Sequence, residues 1–120
     1  MLGVICIAAG SSDHHWECHG RGHEVLYLLA GRALFTAVGR AGTDEVLVEA
    51  GDLLVLERDE AHRGRALEDV TVLFLTPRHG NVAGPTRKGF RHCTADAPSR
   101  QPIISPSVCR RSSRDQWPQR

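Results

Sequence analysis

Histidines and carboxylates gather in two short stretches of the chain. The first, Glu17-Cys18-His19-Gly20-Arg21-Gly22-His23-Glu24, runs into the apolar segment 25–30 and stops at Gly31. The second starts at Gly51 and ends in Glu57-Arg58-Asp59-Glu60-Ala61-His62. Imidazole nitrogens and carboxylate oxygens bind divalent transition metals when three or four of them converge on one point. The two stretches therefore form the candidate site.

Residue spacing before the first stretch supports such convergence. His15, Glu17 and His19 are two residues apart, so on one extended strand their side chains share a face, and Cys18 points to the other face. A carboxylate beside a metal can be a ligand, or it can be a general base whose proton affinity the ion tunes. Both roles are open for Glu17.

The spacing of the two stretches resembles the paired motifs of the cupin superfamily. Here the pattern is Glu-x-His, four residues, Glu, six residues, Gly, and then Gly, five residues, Glu-Arg-Asp, two residues, His. The family usually has His-x-His in the first motif and Pro-x-Gly in the second. Glu17, Glu57 and Asp59 are therefore departures from the family pattern, which otherwise covers about the first two thirds of the chain.

The resemblance implies a metal site and its ligands. Carried over by position, the metal ligands are Glu17, His19, Glu24 and His62, with Glu17 also the candidate catalytic residue. Gly31 and Gly51 correspond to turn glycines. The implied cofactor is a divalent metal, which is Fe, Mn, Zn or Ni. His15 is an alternative source of the imidazole that Glu17 replaces.

The other segments before residue 78 have the pattern of an all-β fold. Short segments rich in Val, Leu, Ile, Phe or Tyr are bounded by Gly, Asp or Ser turns, as is typical of a sandwich or barrel. With the resemblance, the expected fold is a small cupin barrel, a double-stranded β-helix or jelly roll. The predicted strands are 3–8, 16–19, 25–30, 33–38, 45–49, 53–56 and 70–76.

Composition divides the chain near residue 78. Residues 1–77 hold six arginines against twelve acidic residues, a net charge of −6, whereas residues 78–120 hold nine basic residues against two acidic ones, a net charge of +7. We expect residues 1–78 to be the cupin barrel domain. Residues 79–120, rich in Pro, Arg and Ser, are expected to be a disordered basic C-terminal tail, because they lack the apolar periodicity of a packed core.

Composition also restricts the partners. An acidic body is not that of a nucleic-acid-binding domain, and no apolar run approaches the roughly 20 residues of a membrane span. The four cysteines form no Cys-x-x-Cys pair and no secretory segment is recognised, so we expect reduced thiols in a cytoplasmic protein. Residues 53–56 are apolar on both faces, which suits a barrel wall covered by a second subunit. A homodimer is therefore expected.

The function that the resemblance implies is metal-dependent chemistry on a small polar metabolite. The reaction classes are lyase, cyclase, isomerase and dioxygenase, and fold alone does not choose among them. A narrower likeness, in Glu24-Val25-Leu26-Tyr27 and in the charged segment 57–62, is to ectoine synthase, which implies a cyclising hydro-lyase. That family also uses a Tyr from the intervening strand, where this chain has Leu53 and Leu54. The alternative from another class is a non-catalytic cupin that binds a small ligand.

Overall fold

The fold consists of two antiparallel β-sheets. The computed structural model describes residues 1–11, 15–39 and 42–85, and the backbone of a further strand at 107–109. The strands are β1 (Leu2–Ile7), β2 (Trp16–His19), β3 (Glu24–Ala30), β4 (Arg32–Gly39), β5 (Gly42–Glu49), β6 (Leu53–Leu56), β7 (Ala61–Ala66), β8 (Val70–Leu75), β9 (Asn81–Gly84) and β10 (Ser107–Cys109). None of the described residues belongs to a helix with the length and apolar character of a membrane crossing.

Each sheet contains five strands. The first sheet has the order β1-β8-β3-β6-β10, and the second has the order β5-β4-β7-β2-β9. Because β3 lies in the first sheet and β2 and β4 lie in the second, the chain crosses between the sheets at both ends of β3. The first stretch thereby spans both sheets, with Glu17 and His19 on β2 and Glu24 on β3. His62 of the second stretch lies on β7, in the same sheet as β2.

The core lies between the sheets and follows the alternation of side chains along each strand. On β3, Leu26 and Leu28 point inward and are buried, and Leu54 and Leu56 do the same on β6. The inward residues of the second sheet, among them Phe35, complete the same apolar cluster. The all-β prediction, with its packed sheets, is confirmed.

The seven predicted strands correspond to β1 to β6 and β8. Ala61–Ala66 is a strand that the sequence does not predict, because it is a run of small and charged residues whose pairing with β2 and β4 supplies the stability. The β4–β5 hairpin is present, with Gly39 opposite Gly42, whereas residues 40–41 lie outside the described residues.

Two of the described strands lie within residues 79–120, the range predicted to be a disordered tail. Asn81–Gly84 is a strand that pairs with all four residues of β2, so ordered structure extends past residue 78. Ser107–Cys109 pairs with β6. The remainder of the predicted tail, 86–106 and 110–120, lies outside the described residues, and its disorder stays a prediction.

The two predicted turn glycines have backbone conformations that suit glycine. Gly31 has φ 82° and Gly51 has φ 91°, both in the left-handed region that side chains with a Cβ avoid. At Gly31 a Cβ would also overlap the carbonyl oxygen of Asp69. The N–H of Gly51 donates to the carbonyl of Leu28, so the turns hold the ends of β3 and β5 together.

Candidate metal centre

Three strands place the four predicted ligands at one end of the space between the sheets. Glu17 and His19 lie on β2, and Glu17 is directly opposite His62 of β7 in the same sheet. Glu24 begins β3 in the facing sheet. Glu24 therefore faces the other three residues from the opposite sheet.

One ligand atom from each of Glu17, His19, Glu24 and His62 can be chosen so that all lie within 4.8 Å of one another. The Oε2 of Glu24 is 3.2 Å from His19 Nε2 and 3.0 Å from His62 Nε2. The Oε2 of Glu17 is 3.9 Å from each of the same two nitrogens. Both imidazoles thus direct Nε2 toward both carboxylates.

The opposite nitrogen of each imidazole is held by an acceptor. His19 Nδ1 lies 2.9 Å from the Oδ1 of Asn81, whose amide nitrogen donates to the carbonyl of Pro77 at 2.6 Å. His62 Nδ1 lies 3.3 Å from the carbonyl oxygen of Glu60. With Nδ1–H donated to these acceptors, each imidazole directs Nε2 to the cluster, as a lone pair for a metal when the ring is neutral and as an N–H donor to Glu24 when the ring is protonated.

Glu24 is a buried carboxylate that contacts His19, His62 and Thr76. Its other oxygen, Oε1, accepts a hydrogen bond from the hydroxyl of Thr76 at 2.6 Å. Burial alone would raise the pKa of Glu24, but hydrogen bonds from His19, His62 and Thr76 hold this pKa well below its ordinary range. Glu24 is therefore ionised and oriented before anything binds.

The same surroundings raise the pKa of His19, whereas they lower that of Glu24. Burial would lower the pKa of His19, but the hydrogen bonds with Glu24 and Asn81, and the charges of Glu24 and Glu17, together raise it above its ordinary value. In the absence of a cation, a proton on His19 takes over the neutralisation of the carboxylates. The cluster thus favours positive charge at its centre.

Glu17 differs from the other three residues in its exposure. Its side chain is 48% exposed, against 4% for each histidine and 7% for Glu24. Glu17 therefore closes the cluster on the solvent side, where it can meet both an ion and an entering molecule. Its roles as ligand and as catalytic base remain predictions.

The neighbours of the cluster also bear on the sequence predictions. His15 is exposed and is not one of the four grouped residues. The geometry therefore does not support His15 as the source of the imidazole that Glu17 replaces. Cys18 is fully buried on the other face of β2, where it packs with Ala61, as the alternation of side chains predicts.

The loop before His62 is fixed to β2 through the backbone. The N–H of Asp59 donates to the carbonyl of His19 at 3.0 Å. Asp59 has φ 67°, a left-handed conformation, and it stands where the motif resemblance has a glycine. The position therefore requires the glycine-like backbone even though the residue has changed, because aspartate tolerates this region better than most residues do.

The donor set fits a divalent transition metal. Ligand atoms bonded to one ion at roughly 2.0–2.2 Å are about 3.0 Å apart at right angles and about 3.4 Å apart in a tetrahedron. The distances from Glu24 to the two histidines, 3.0 and 3.2 Å, lie at this scale, and those from Glu17 are longer, at 3.9 Å. Two neutral imidazoles and two carboxylates would hold an ion such as Zn²⁺, Fe²⁺, Mn²⁺ or Ni²⁺.

Two residues that orient this cluster are not predicted by the sequence. Thr76 ends a predicted strand without any feature that marks it as functional, and Asn81 falls in the predicted tail. Only the pairing of β9 with β2, which sets Asn81 opposite His19, brings that amide to the site. Neither residue has a local sequence pattern that could have indicated its role.

Three solved structures with a similar fold belong to larger proteins. An oxalate decarboxylase from Lactobacillus farciminis in complex with formate matches 68% of this chain, with 15% identity and a TM-score of 0.58, over 25% of its own chain. An oxalate decarboxylase from Bacillus subtilis at pH 4.6 matches 68% of this chain, with 21% identity and a TM-score of 0.56, over 23% of its own chain.

An oxalate oxidase in complex with the substrate analogue glycolate also matches 68% of this chain, with 18% identity and a TM-score of 0.57, over 44% of its own chain. This chain thus corresponds to about a quarter of the length of the two decarboxylases and to less than half of the oxidase. At these identities the likeness shows the fold alone.

Sequence comparison identifies the family. No match is found among curated proteins. A family model described as the cupin domain matches residues 3–76, a range that contains all four residues of the cluster and both turn glycines. Since this range is more than half of the chain, the protein is a member of the cupin family.

Proposed function

We propose that this cupin binds a divalent transition metal through Glu17, His19, Glu24 and His62 and uses it in a reaction on a small molecule. The observation that carries the proposal is the convergence of these four side chains within 4.8 Å, with Nδ1 of both histidines engaged elsewhere. Such preorganisation of ligands by a second layer of hydrogen bonds is typical of metal sites.

The bound metal would polarise a carbonyl or hydroxyl oxygen of the substrate. Glu24 and the two histidines, all buried, would hold the ion in place. Glu17, at the solvent side, would accept a proton from the substrate or return one to it, as a carboxylate positioned beside the reacting atoms does. The adjoining cavity, of about 660 Å³, would receive the rest of the substrate.

These roles are compatible with the lyase, cyclase, isomerase and dioxygenase classes. The ectoine-synthase-like hydro-lyase has less support, because the chain has a single tyrosine, Tyr27. Tyr27 alternates with the inward residues Leu26 and Leu28, so it lies on the outer face of the first sheet, away from the cluster. The non-catalytic ligand-binding cupin is the alternative if no metal binds.

Metal analysis of the purified protein tests the proposal. We expect near-stoichiometric Fe, Mn, Ni or Zn by plasma mass spectrometry, with loss of the metal in Glu24→Ala and His62→Ala. His79→Ala is the control, because His79 is exposed and outside the cluster. Glu17→Ala should weaken binding less than Glu24→Ala, because Glu17 is half exposed. A parent protein that binds no metal after reconstitution would refute the proposal.

The proposed assembly is a homodimer formed through the outer face of the first sheet. Leu2, Val4 and Leu75 are 69%, 59% and 51% exposed there. The strand register joins them in two apolar rows, Leu2-Leu75-Val25-Val55 and Val4-Leu73-Tyr27-Leu53. A contiguous apolar face of this kind favours association. The cytoplasmic location stays a prediction.

Light scattering after size exclusion tests the assembly. We expect twice the monomer mass for the parent and the monomer mass for Val4→Arg. Thr43→Arg, which adds the same charge at an exposed position of the second sheet, should stay dimeric. A monomeric parent at micromolar concentration would refute the homodimer and leave the metal site unaffected.

A further inference from the structure

The cavity beside the cluster is apolar along most of its wall. It encloses about 660 Å³ between the sheets, a volume typical of sites for small organic molecules. The cluster occupies one part of the wall. The residues that line the remainder include inward-facing members of the core, namely Ile7, Leu26, Phe35, Val70, Val72 and Phe74. We call this part of the cavity the apolar compartment.

Several polar side chains around the cavity are already engaged with protein partners. The hydroxyl of Thr76 donates to Glu24, and the amide of Asn81 is shared between His19 and Pro77. The hydroxyl of Ser11 donates to the carbonyl of Ala8. Within the described part of the chain, no buried side-chain nitrogen or oxygen lacks a hydrogen-bond partner. Among the described residues, the compartment therefore offers a substrate no buried side-chain group that lacks a partner. The exposed His15 and the N-terminal residue Met1, whose ammonium donates to the carbonyl of Thr76, also line the cavity.

Among the residues that the structure describes, Arg63 is the one arginine on the cavity lining, and its side chain points away from the cavity. It lies between His62 and Gly64 on β7, so its side chain points to the opposite face of the sheet. Its guanidinium lies 4.9 Å from the centroid of the Trp16 ring. A second carboxylate on the substrate would thus find no arginine side chain of the described residues in the compartment.

The net charge of the metal-loaded cluster also disfavours a substrate with two negative charges. A divalent ion is balanced by the carboxylates of Glu17 and Glu24, and the histidine ligands are neutral. A cluster without net charge attracts a dianion less than a cationic one does. The cavity therefore favours a less polar substrate than the small polar metabolite that the family resemblance implies.

We propose that the substrate has a single coordinating oxygen end, neutral or singly charged, and an aliphatic or aromatic body that occupies the apolar compartment. This inference rests on the proposed function, because the metal provides the partner for the oxygen end. It places dicarboxylates such as oxalate outside the preferred class.

Two glycines keep the compartment open by allowing aromatic rings to lie against the strands. A Cβ at Gly64 would be 2.9 Å from Cε1 of Phe35, and a Cβ at Gly3 would be 2.6 Å from Cζ of Phe74. Both rings line the cavity. A methyl group at Gly64 would therefore force Phe35 to shift. At Gly84, in the same sheet, an added Cβ meets no atom within 4 Å, which makes Gly84→Ala a matched control.

Calorimetric titration of the Zn²⁺-loaded full chain with hydroxamates tests the inference, since these probes share one chelating end. We expect affinity to rise from acetohydroxamate through butano- to hexanohydroxamate by about three- to fourfold for each buried methylene. The monohydroxamate of adipic acid, which has the same length but ends in a carboxylate, should bind at least tenfold more weakly than hexanohydroxamate. Titration of the metal-free chain corrects for binding to the outer apolar face.

The variants refine this result. Gly64→Ala should reduce the gain in affinity with chain length, and Gly84→Ala should retain it. A flat series, equal binding of the charged tail, or no hydroxamate binding to a chain that holds zinc would overturn the inference and leave the metal site intact. Failure to bind zinc would instead overturn the proposed function as well. The series in the parent protein decides the matter even if Gly64→Ala does not fold.

Discussion

The two ends of the cavity are stabilised in different ways. At the cluster, the buried polar side chains have directed partners, as in the contacts of Asn81 with His19 and of Thr76 with Glu24. In the apolar compartment, side chains such as Leu26 and Val72 are held by burial and shape alone. The cluster therefore depends on the identity of its residues, whereas the compartment depends on their volume.

The apolar core and the cluster therefore contribute differently to folding and to metal binding. The apolar core brings the two sheets together and so determines whether Glu24 meets Glu17, His19 and His62 at all. The hydrogen bonds around the cluster then set how well those side chains hold an ion. Substitutions at the two ends should accordingly affect stability and metal affinity in different proportions.

The largest effect on stability is expected from Leu54→Ala. Leu54 is fully buried and lies opposite Leu26 on the neighbouring strand, so truncation should lower the free energy of unfolding by about 2–5 kcal/mol. Urea denaturation measures this value. Leu29→Ala is the control, because Leu29 is 50% exposed. Equal losses in the two variants would contradict the core as described, and metal affinity of the folded fraction should not change.

The next effect concerns the orientation of His19. Asn81→Leu removes the acceptor of Nδ1–H, and metal affinity should fall about 10- to 100-fold. Asn81→Asp keeps an acceptor and should retain most of the affinity. Val82→Ala, at the adjacent residue and 44% exposed, is the control. Metal titration that gives the same affinity for Asn81→Leu and the parent would show that Asn81 has no positioning role.

A smaller effect is expected on the pH dependence of the metal-free protein. Because the pKa of Glu24 is depressed in the fold, its stabilisation is present above about 4.5, the ordinary value, and is lost as pH falls toward the folded pKa. The pKa of His19 is raised, so its contribution is fully present below 6.5 and is lost only as pH rises through the folded value. Between about pH 3 and 5.5, the contribution of Glu24 therefore rises with pH, whereas Glu60, whose pKa is raised by burial, contributes a slope of the opposite sign. The difference in slope between the parent and Glu24→Gln therefore isolates Glu24.

Urea denaturation in the presence of a chelator measures this slope. Glu24→Gln should show a weaker loss of stability on acidification than the parent. Glu68→Gln, which removes an exposed carboxylate paired with Arg32, should keep the slope of the parent, since exposed pairs contribute little. An unchanged slope in Glu24→Gln would contradict the assignment of a depressed pKa to this carboxyl.

The cluster and the compartment also differ in how far they could be predicted from sequence. The spacing of the two motifs correctly identifies the four residues that the fold brings together, because strand period and turn glycines fix their positions. Asn81 could not be found in this way, since its contact depends on a strand at 81–84 that has no apolar pattern of its own. Long-range pairing, rather than local propensity, forms that strand.

The apolar compartment was likewise outside the reach of the sequence. Alternation places Leu26 with Leu28, and Leu54 with Leu56, on one face of each strand, but it does not tell which face is inward or which of these side chains line a cavity. The volume left beside Leu26 depends on how Phe35 and Phe74 lie against Gly64 and Gly3. Such contacts join residues that are far apart in the chain.

The most direct test of the metal centre is a crystal structure of the metal-loaded protein with an anomalous difference map at the absorption edge of the metal. We expect a single strong peak between His19 Nε2, His62 Nε2 and the carboxylates of Glu24 and Glu17, with Asn81 still bonded to His19. A stoichiometric metal found elsewhere in the molecule, with these four side chains bonded only to one another, would contradict the account.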